Sequence, residues 1–171
     1  LYQMDYILPF NKSSQFEFGY RGSFRDLITD YKVSEFINNQ NILDLDKSNI
    51  LNFKEYINAF YSQYGNKVNK FSYLLGLRVE SSNITIDQRT INQYKIKKYT
   101  DLFPTLNFSY EFNEKSSLTL GYSRRLRRPR SRFLNPFGSR VSIANAFQGN
   151  VDLNPSYSNT YDLGFLTRSK K

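Results

Sequence analysis

Apolar and polar residues alternate along most of this chain. Over 1–8, Tyr2, Met4, Tyr6 and Leu8 fall on one side of an extended backbone and Gln3 and Asp5 on the other, the period of two that a β-strand imposes. Phe16, Phe18, Tyr20 and Phe24 continue the pattern against Gln15, Glu17, Arg21, Ser23 and Arg25, trailing off toward Tyr31. A run of that length predicts a strand well beyond the usual size of about five or six residues. Further alternating strands are predicted over 71–79, 102–112, 118–122 and 157–165. Aromatics also crowd 53–64, but two facings compete there, Ile57-Ala59-Tyr61 and Tyr56-Phe60-Tyr64.

The connections fall into two kinds. Segments 9–14, 65–69 and 113–116 are rich in Asn, Ser, Gly and Lys and predict short turns. Segments 34–52 and 86–98 are polar without a sustained period and predict long loops, and the longest irregular stretch runs from beyond Arg124 to Pro155. Pro104, which lacks an N–H, predicts a strand end or a bulge. The expectation is an all-β, antiparallel, up-and-down sheet of about seven long strands joined by alternating short and long connections. A soluble sandwich and a membrane barrel both alternate in this way. Segregated short and long connections favour the barrel, whose apolar band is about 25 Å tall. A 12-residue strand at about 3.3 Å per residue, tilted by roughly 40°, rises about 30 Å and crosses that band.

Composition narrows the chemistry. The 171 residues include no His, Cys or Trp, which removes imidazole and thiol catalysis, disulfides and the usual zinc sites. Aromatic residues reach 17%, in keeping with strands and with polar–apolar boundaries. No run approaches the roughly 20 apolar residues of a membrane-spanning helix, and the first residues lack the pattern of a signal peptide. The net charge of +9 permits attraction to anions of any kind.

Much of that charge is concentrated in Arg124, Arg125, Arg127, Arg128, Arg130 and Arg132. Alternation sends Arg125 and Arg127 toward the lumen of a barrel and others to its outer rim, as contacts for a ligand or for lipopolysaccharide. A solvated rim without a specific ligand is the plainer reading, and phosphate contacts to nucleic acid are a third. Asn135, Pro136 and Asn154-Pro155 read first as turn-shaping residues. Asp44, Asp46, Ser48 and Glu55 have calcium-loop spacing, but Asn49 stands where such a loop needs Gly, so an acidic surface loop is expected. The N-glycosylation patterns at Asn11, Asn83 and Asn107 read as accidental. Glu80, Arg78, Glu111 and Asp162 read as polar residues on a wet wall. No catalytic residue, metal site or cofactor is expected, and no nucleic-acid partner.

Four segments in a fixed order carry a family resemblance. Tyr122-Ser123-Arg124-Arg125-Leu126-Arg127-Arg128-Pro129 leads into Leu134-Asn135-Pro136-Phe137, then Gly149-Asn150-Val151-Asp152-Leu153-Asn154-Pro155, then Tyr161-Asp162-Leu163-Gly164-Phe165. This succession resembles that of the TonB-dependent receptor-like outer-membrane β-barrels of Bacteroidota, with Phe165 where the family commonly has Tyr. Phe16–Phe24, Phe71–Glu80 and Leu102-Phe103-Pro104-Thr105 fit the same family. The resemblance implies a cell outer-membrane location, long extracellular loops and short periplasmic turns. It also implies contact with outer-membrane lipid and lipopolysaccharide, uptake of a nutrient ligand, and coupling to TonB through a plug. Residues 1–171 are expected to form part of such a barrel domain, an interior slice in which no plug, signal peptide or terminal barrel strand is recognised.

Overall fold

The structure is a computed structural model that describes residues 1–137, 139–140 and 146–168. Its strands are β1 (Tyr2–Asn11), β2 (Ser14–Ile37), β3 (Gln40–Val68), β4 (Phe71–Gln88), β5 (Gln93–Asn113), β6 (Ser116–Arg127) and β9 (Ser156–Thr167). They form one seven-stranded sheet in the order β1-β2-β3-β4-β5-β6-β9. Every neighbouring pair is antiparallel, as hairpin connections require. Between β6 and β9 come one helical turn, α1 (Ser131–Leu134), and a two-residue ribbon of β7 (Ser139–Arg140) with β8 (Ala146–Phe147).

Pairing register settles the facing that β3 left open. Phe16, Tyr20 and Phe24 lie opposite Tyr64, Phe60 and Tyr56, and Tyr64 and Phe60 lie opposite Leu75 and Val79. The same rows continue through Leu75–Leu106, Val79–Leu102, Leu106–Tyr122 and Tyr122–Tyr161. One face is therefore apolar across all seven strands, although Leu163 and Tyr161 are more than three-quarters exposed. An apolar face left open to its surroundings on this scale is what lipid contact demands. Rings gather along its turn end, where Phe71 stacks on Phe108 at 6.0 Å and Tyr64 meets Tyr73 at 6.1 Å.

Along β4 the apolar parity runs from Phe71 to Val79 and then becomes Ser81, Asn83, Thr85 and Asp87. Those nine residues span about 23 Å at the usual rise and tilt, close to the apolar thickness of an outer membrane. Beyond that height the strands continue. The polar segments 34–52 and 86–98 are not loops: both lie in hairpin arms that carry the ladder outward. Toward the tips of these arms water wets both faces, so side chains there need not alternate, and no apolar period marks them as strand. The β2–β3 arm closes at Asn38 and Asn39, with φ of 51° and 65°, and Asn92 at the tip of β4–β5 has φ of 51°. Asn tolerates this left-handed region, which two-residue hairpin turns use.

Pro104 neither ends β5 nor bulges it; it pairs in register with Leu77. Pairing of β5 with β6 stops at Thr105–Ser123, so β5 has a single paired neighbour at Pro104. A missing N–H is tolerated in that situation. The register shifts fall instead at Pro9/Asn11, Tyr31/Val33 and Glu111/Asn113.

The opposite, inner face is polar through the membrane band. Its buried apolar cluster sits above that band, where Leu51, Phe53, Ile84 and Ile86 are covered by Leu134 and Val151. Both covering residues come from the β6–β9 connection.

Candidate functional site

The β6–β9 connection folds over the inner face at the outer end of the wall. Asn135 holds its first half: its Oδ1 accepts the N–H of Phe137 at 3.1 Å and the Nε2 of Gln88 at 3.1 Å. Gln88 is fully buried and also donates to Asn49. In the second half, Asn150 Oδ1 accepts the N–H of Asp152 at 2.8 Å, the local turn that Asn favours. The two halves are joined by Gly149 N–H to Asn135 O and Asn150 N–H to Phe133 O, both 2.8 Å. Gln148 Nε2 adds a bond to the carbonyl of Pro136 at 2.7 Å.

Charged side chains anchor this connection to the sheet. Lys97 Nζ, on β5, donates to the carbonyl of Val151 at 3.0 Å and to that of Leu153. Burial lowers the Lys97 pKa, the expected cost of taking an ammonium out of water. Lys95 Nζ lies 3.0 Å from Asp152, and its hydrogen bond holds the Asp152 carboxyl below its usual range. Arg128 turns inward: it pairs with Glu80 and donates to Ser82 Oγ at 2.8 Å, with its guanidinium 5.9 Å from the Tyr99 ring. Burial pushes Tyr99 up to about 12. Tyr157, on β9, donates to Asp101 Oδ1 at 2.9 Å.

The expected arginines thus divide. Arg125 and Arg127 keep the parity of Ser123 and are exposed, paired in register with Ser158 and Ser156. Arg128 is the one that reaches inner-face carboxylate, because strand pairing ends at Arg127 and alternation no longer directs the next side chain. Arg124 stacks on Tyr157 at 5.0 Å, and Arg132 lies over Phe133 and Phe147 at 5.4 and 5.0 Å. Arg127, Arg128 and Arg130 line a recess of about 470 Å³ together with Asn154. Pro136 and Phe137 are buried, whereas Leu153 is exposed and Pro155 half-buried. The sequence alone does not assign these contacts to Gln88, Lys97, Glu80 or Ser82. Their partners lie more than forty residues away, and no local pattern signals them.

The acidic residues with calcium-loop spacing do not wrap an ion. All four lie on β3, which bulges between Asp44 and Asn49; Asp44 lies opposite Val33 and Glu55 opposite Arg25, which sets the two carboxylates roughly 26 Å apart. Asp44 pairs with Lys47 at 2.5 Å and Glu55 with Arg25 at 3.7 Å.

The outer membrane protein beta-barrel family matches residues 1–171 by its sequence profile. The chain belongs to this family. No curated protein matches it. Membership accounts for the open apolar face: the sheet is barrel wall, its exposed face meets lipid, and its inner face meets the lumen. It places the chain in the outer membrane of a Gram-negative cell and sets aside the soluble sandwich. The turns at one end are periplasmic, and the arms and the β6–β9 connection are extracellular. In this barrel the motif residues Asn135, Gly149 and Asn150 build a connection that lies across the lumen face at the outer mouth.

Proposed function

We propose that this wall belongs to a TonB-dependent receptor-like barrel that binds a nutrient at its outer mouth and takes it up. The observation that carries the reading is the inward-folded connection: Leu134 and Val151 are buried on lumen-side residues, which places a shaped, arginine-rich surface across the entry. Ligand sites favour concave surfaces with a few fixed polar groups. The margins of the sheet, β1 and β9, carry unpaired backbone groups that lipid cannot satisfy, so further strands complete the barrel. A plug in the lumen would couple it to TonB. Lipid contacts the apolar face, and lipopolysaccharide meets the arginines that reach the rim. The resemblance to the Bacteroidota receptors supports each of these partners, and the wall itself performs no catalysis.

Cells lacking the gene, grown on single sources of carbon, iron or cofactor, test the proposal. Loss of growth on one source, restored by the wild-type gene and by a TonB-dependent route, supports uptake. Unchanged growth on every source, with and without TonB, favours the other reading, a barrel of the same family without transport.

A further inference from the structure

Below the mouth, the inner wall carries a second recess, of about 290 Å³, between β3, β4, β5 and β6. Tyr61, Gln63, Arg78, Phe103, Arg124 and Arg125 are among the residues that line it, and none of its lining residues is acidic. Register explains the grouping. Tyr61 lies opposite Arg78, and Arg78 opposite Phe103, so one row across the sheet alternates ring, guanidinium and ring. Arg78 sits over the Phe103 ring at 4.7 Å, an arrangement that fixes the cation and leaves its other edge open. The nearest acid, Glu80, is 3.5 Å from Arg78 but is already paired with Arg128. Arg125 is exposed, and the positive charge of Arg21 bears on Arg78 from across the sheet. Positive charge is in excess here, and the recess has about the size of a single sugar ring, at the small end of known ligand sites.

We infer that this recess is an anion site on the lumen wall, taking an organic anion of monosaccharide size. Its carboxylate or phosphate is held by Arg78 and Arg125, and its ring lies against Tyr61, while the buried Phe103 ring backs Arg78. Guanidinium forks match both oxyanions in two-pronged fashion. Gly76, also in the lining, leaves the floor clear, since it adds no side chain between Gln63 and Thr105. The inference rests on the uptake reading and gives it a substrate class. The arginine recess at the mouth lies above this one along β6, so an anion meets positive charge twice on its way in.

The test is calorimetric titration of the full-length protein in detergent with glucose 6-phosphate, glucuronate, glucose and inorganic phosphate. Both sugar anions are expected to bind, with glucose and inorganic phosphate each weaker by about tenfold or more. Arg125→Gln should weaken the sugar anions by about tenfold, whereas Lys12→Gln, which removes the same charge at a periplasmic turn, should leave them unchanged. Thr105→Glu, which places a carboxylate in the recess, should abolish anion binding. Heat-dependent migration on gels confirms that each variant is folded. Binding of none of the four probes, equal binding of glucose and glucose 6-phosphate, equal binding of inorganic phosphate, or an unaffected Arg125→Gln would each overturn the site. If charge-selective binding holds while no growth phenotype depends on the gene, the site stands and the transport reading falls.

Discussion

The N–H of Gly149 donates to the carbonyl of Asn135 at 2.8 Å, and through this contact the two halves of the β6–β9 connection lie against each other. The approach leaves no room for a side chain. A Cβ on Gly149 would stand 2.5 Å from the Asn135 carbonyl oxygen and 2.6 Å from that of Phe133, both rigid backbone atoms. Glycine is needed here for space, since its φ is not positive.

Gly149→Ala should therefore loosen the connection, at a cost of about 1–3 kcal/mol typical of overpacking. Protease cleavage within 128–155 of the full-length protein, timed against the wild type, reads the effect. Gly76→Ala is the matched control, because its new Cβ would come no closer than 3.5 Å to any neighbour. Equal cleavage of all three proteins would show that close approach does not govern the fold of the connection.

The Asp152–Lys95 pair makes part of this docking depend on pH. Asp152 has a lowered pKa because Lys95 hydrogen-bonds its carboxylate. Its contribution is complete above the ordinary aspartate pKa of about 3.9 and is lost as the pH falls through the lower folded value. Hydrogen-exchange protection at residues 150–155, taken relative to the intrinsic rate at each pH, should fall on acidification in that window. Asp152→Asn should show lower protection at neutral pH and little further loss of protection on acidification.

What the sequence could reveal follows from where water lies. Within the membrane band one face meets lipid and the other water, so Leu75, Leu77 and Val79 alternate with polar neighbours and the strand is legible. In the arms around Asn38 and Asn92 both faces are wet, and the same backbone geometry leaves no pattern. On β3, Tyr56-Phe60-Tyr64 and Ile57-Ala59-Tyr61 both read as apolar, and only pairing with Phe24, Tyr20 and Phe16 decides between them. The motif residues Asn135, Gly149 and Asn150 were visible as motifs. That Asn135 answers to Gln88, and Val151 to Lys97, required the fold that brings distant strands together.

Arg128 and Glu80 test whether the anchor at the mouth is electrostatic. Their side chains are 18% and 7% exposed, so removing the guanidinium leaves a mostly buried carboxylate. Breaking such a pair costs roughly 3–5 kcal/mol, and Arg78, still 3.5 Å from Glu80, holds the loss toward the low end. Arg128→Met should destabilise accordingly in urea titrations of the full-length protein in lipid. Adding Glu80→Gln should recover part of the loss, since the double variant no longer buries an unpaired charge. Additive losses would mean that Arg128 acts through packing alone.

The facing of the wall is open to the same kind of measurement. Leu75 and Leu120 occupy the apolar rows, opposite Leu106 and Leu163, whereas Thr119 pairs with Gly164 on the inner face and donates to its carbonyl at 3.3 Å. An arginine at Leu75 or Leu120 must bring its charge into the hydrocarbon, at about 2–4 kcal/mol near the midplane. Thr119→Arg projects into a wet lumen and loses one weak hydrogen bond, so its cost should stay below about 1 kcal/mol. Folding equilibria of the three full-length variants in lipid vesicles give the comparison directly. Because Leu120 and Thr119 are adjacent on β6, the two substitutions share backbone, depth and added charge and differ only in the side of the sheet. A large loss at Leu120 beside a small one at Thr119 assigns the faces; equal losses would overturn that assignment, and the reverse order would invert the wall.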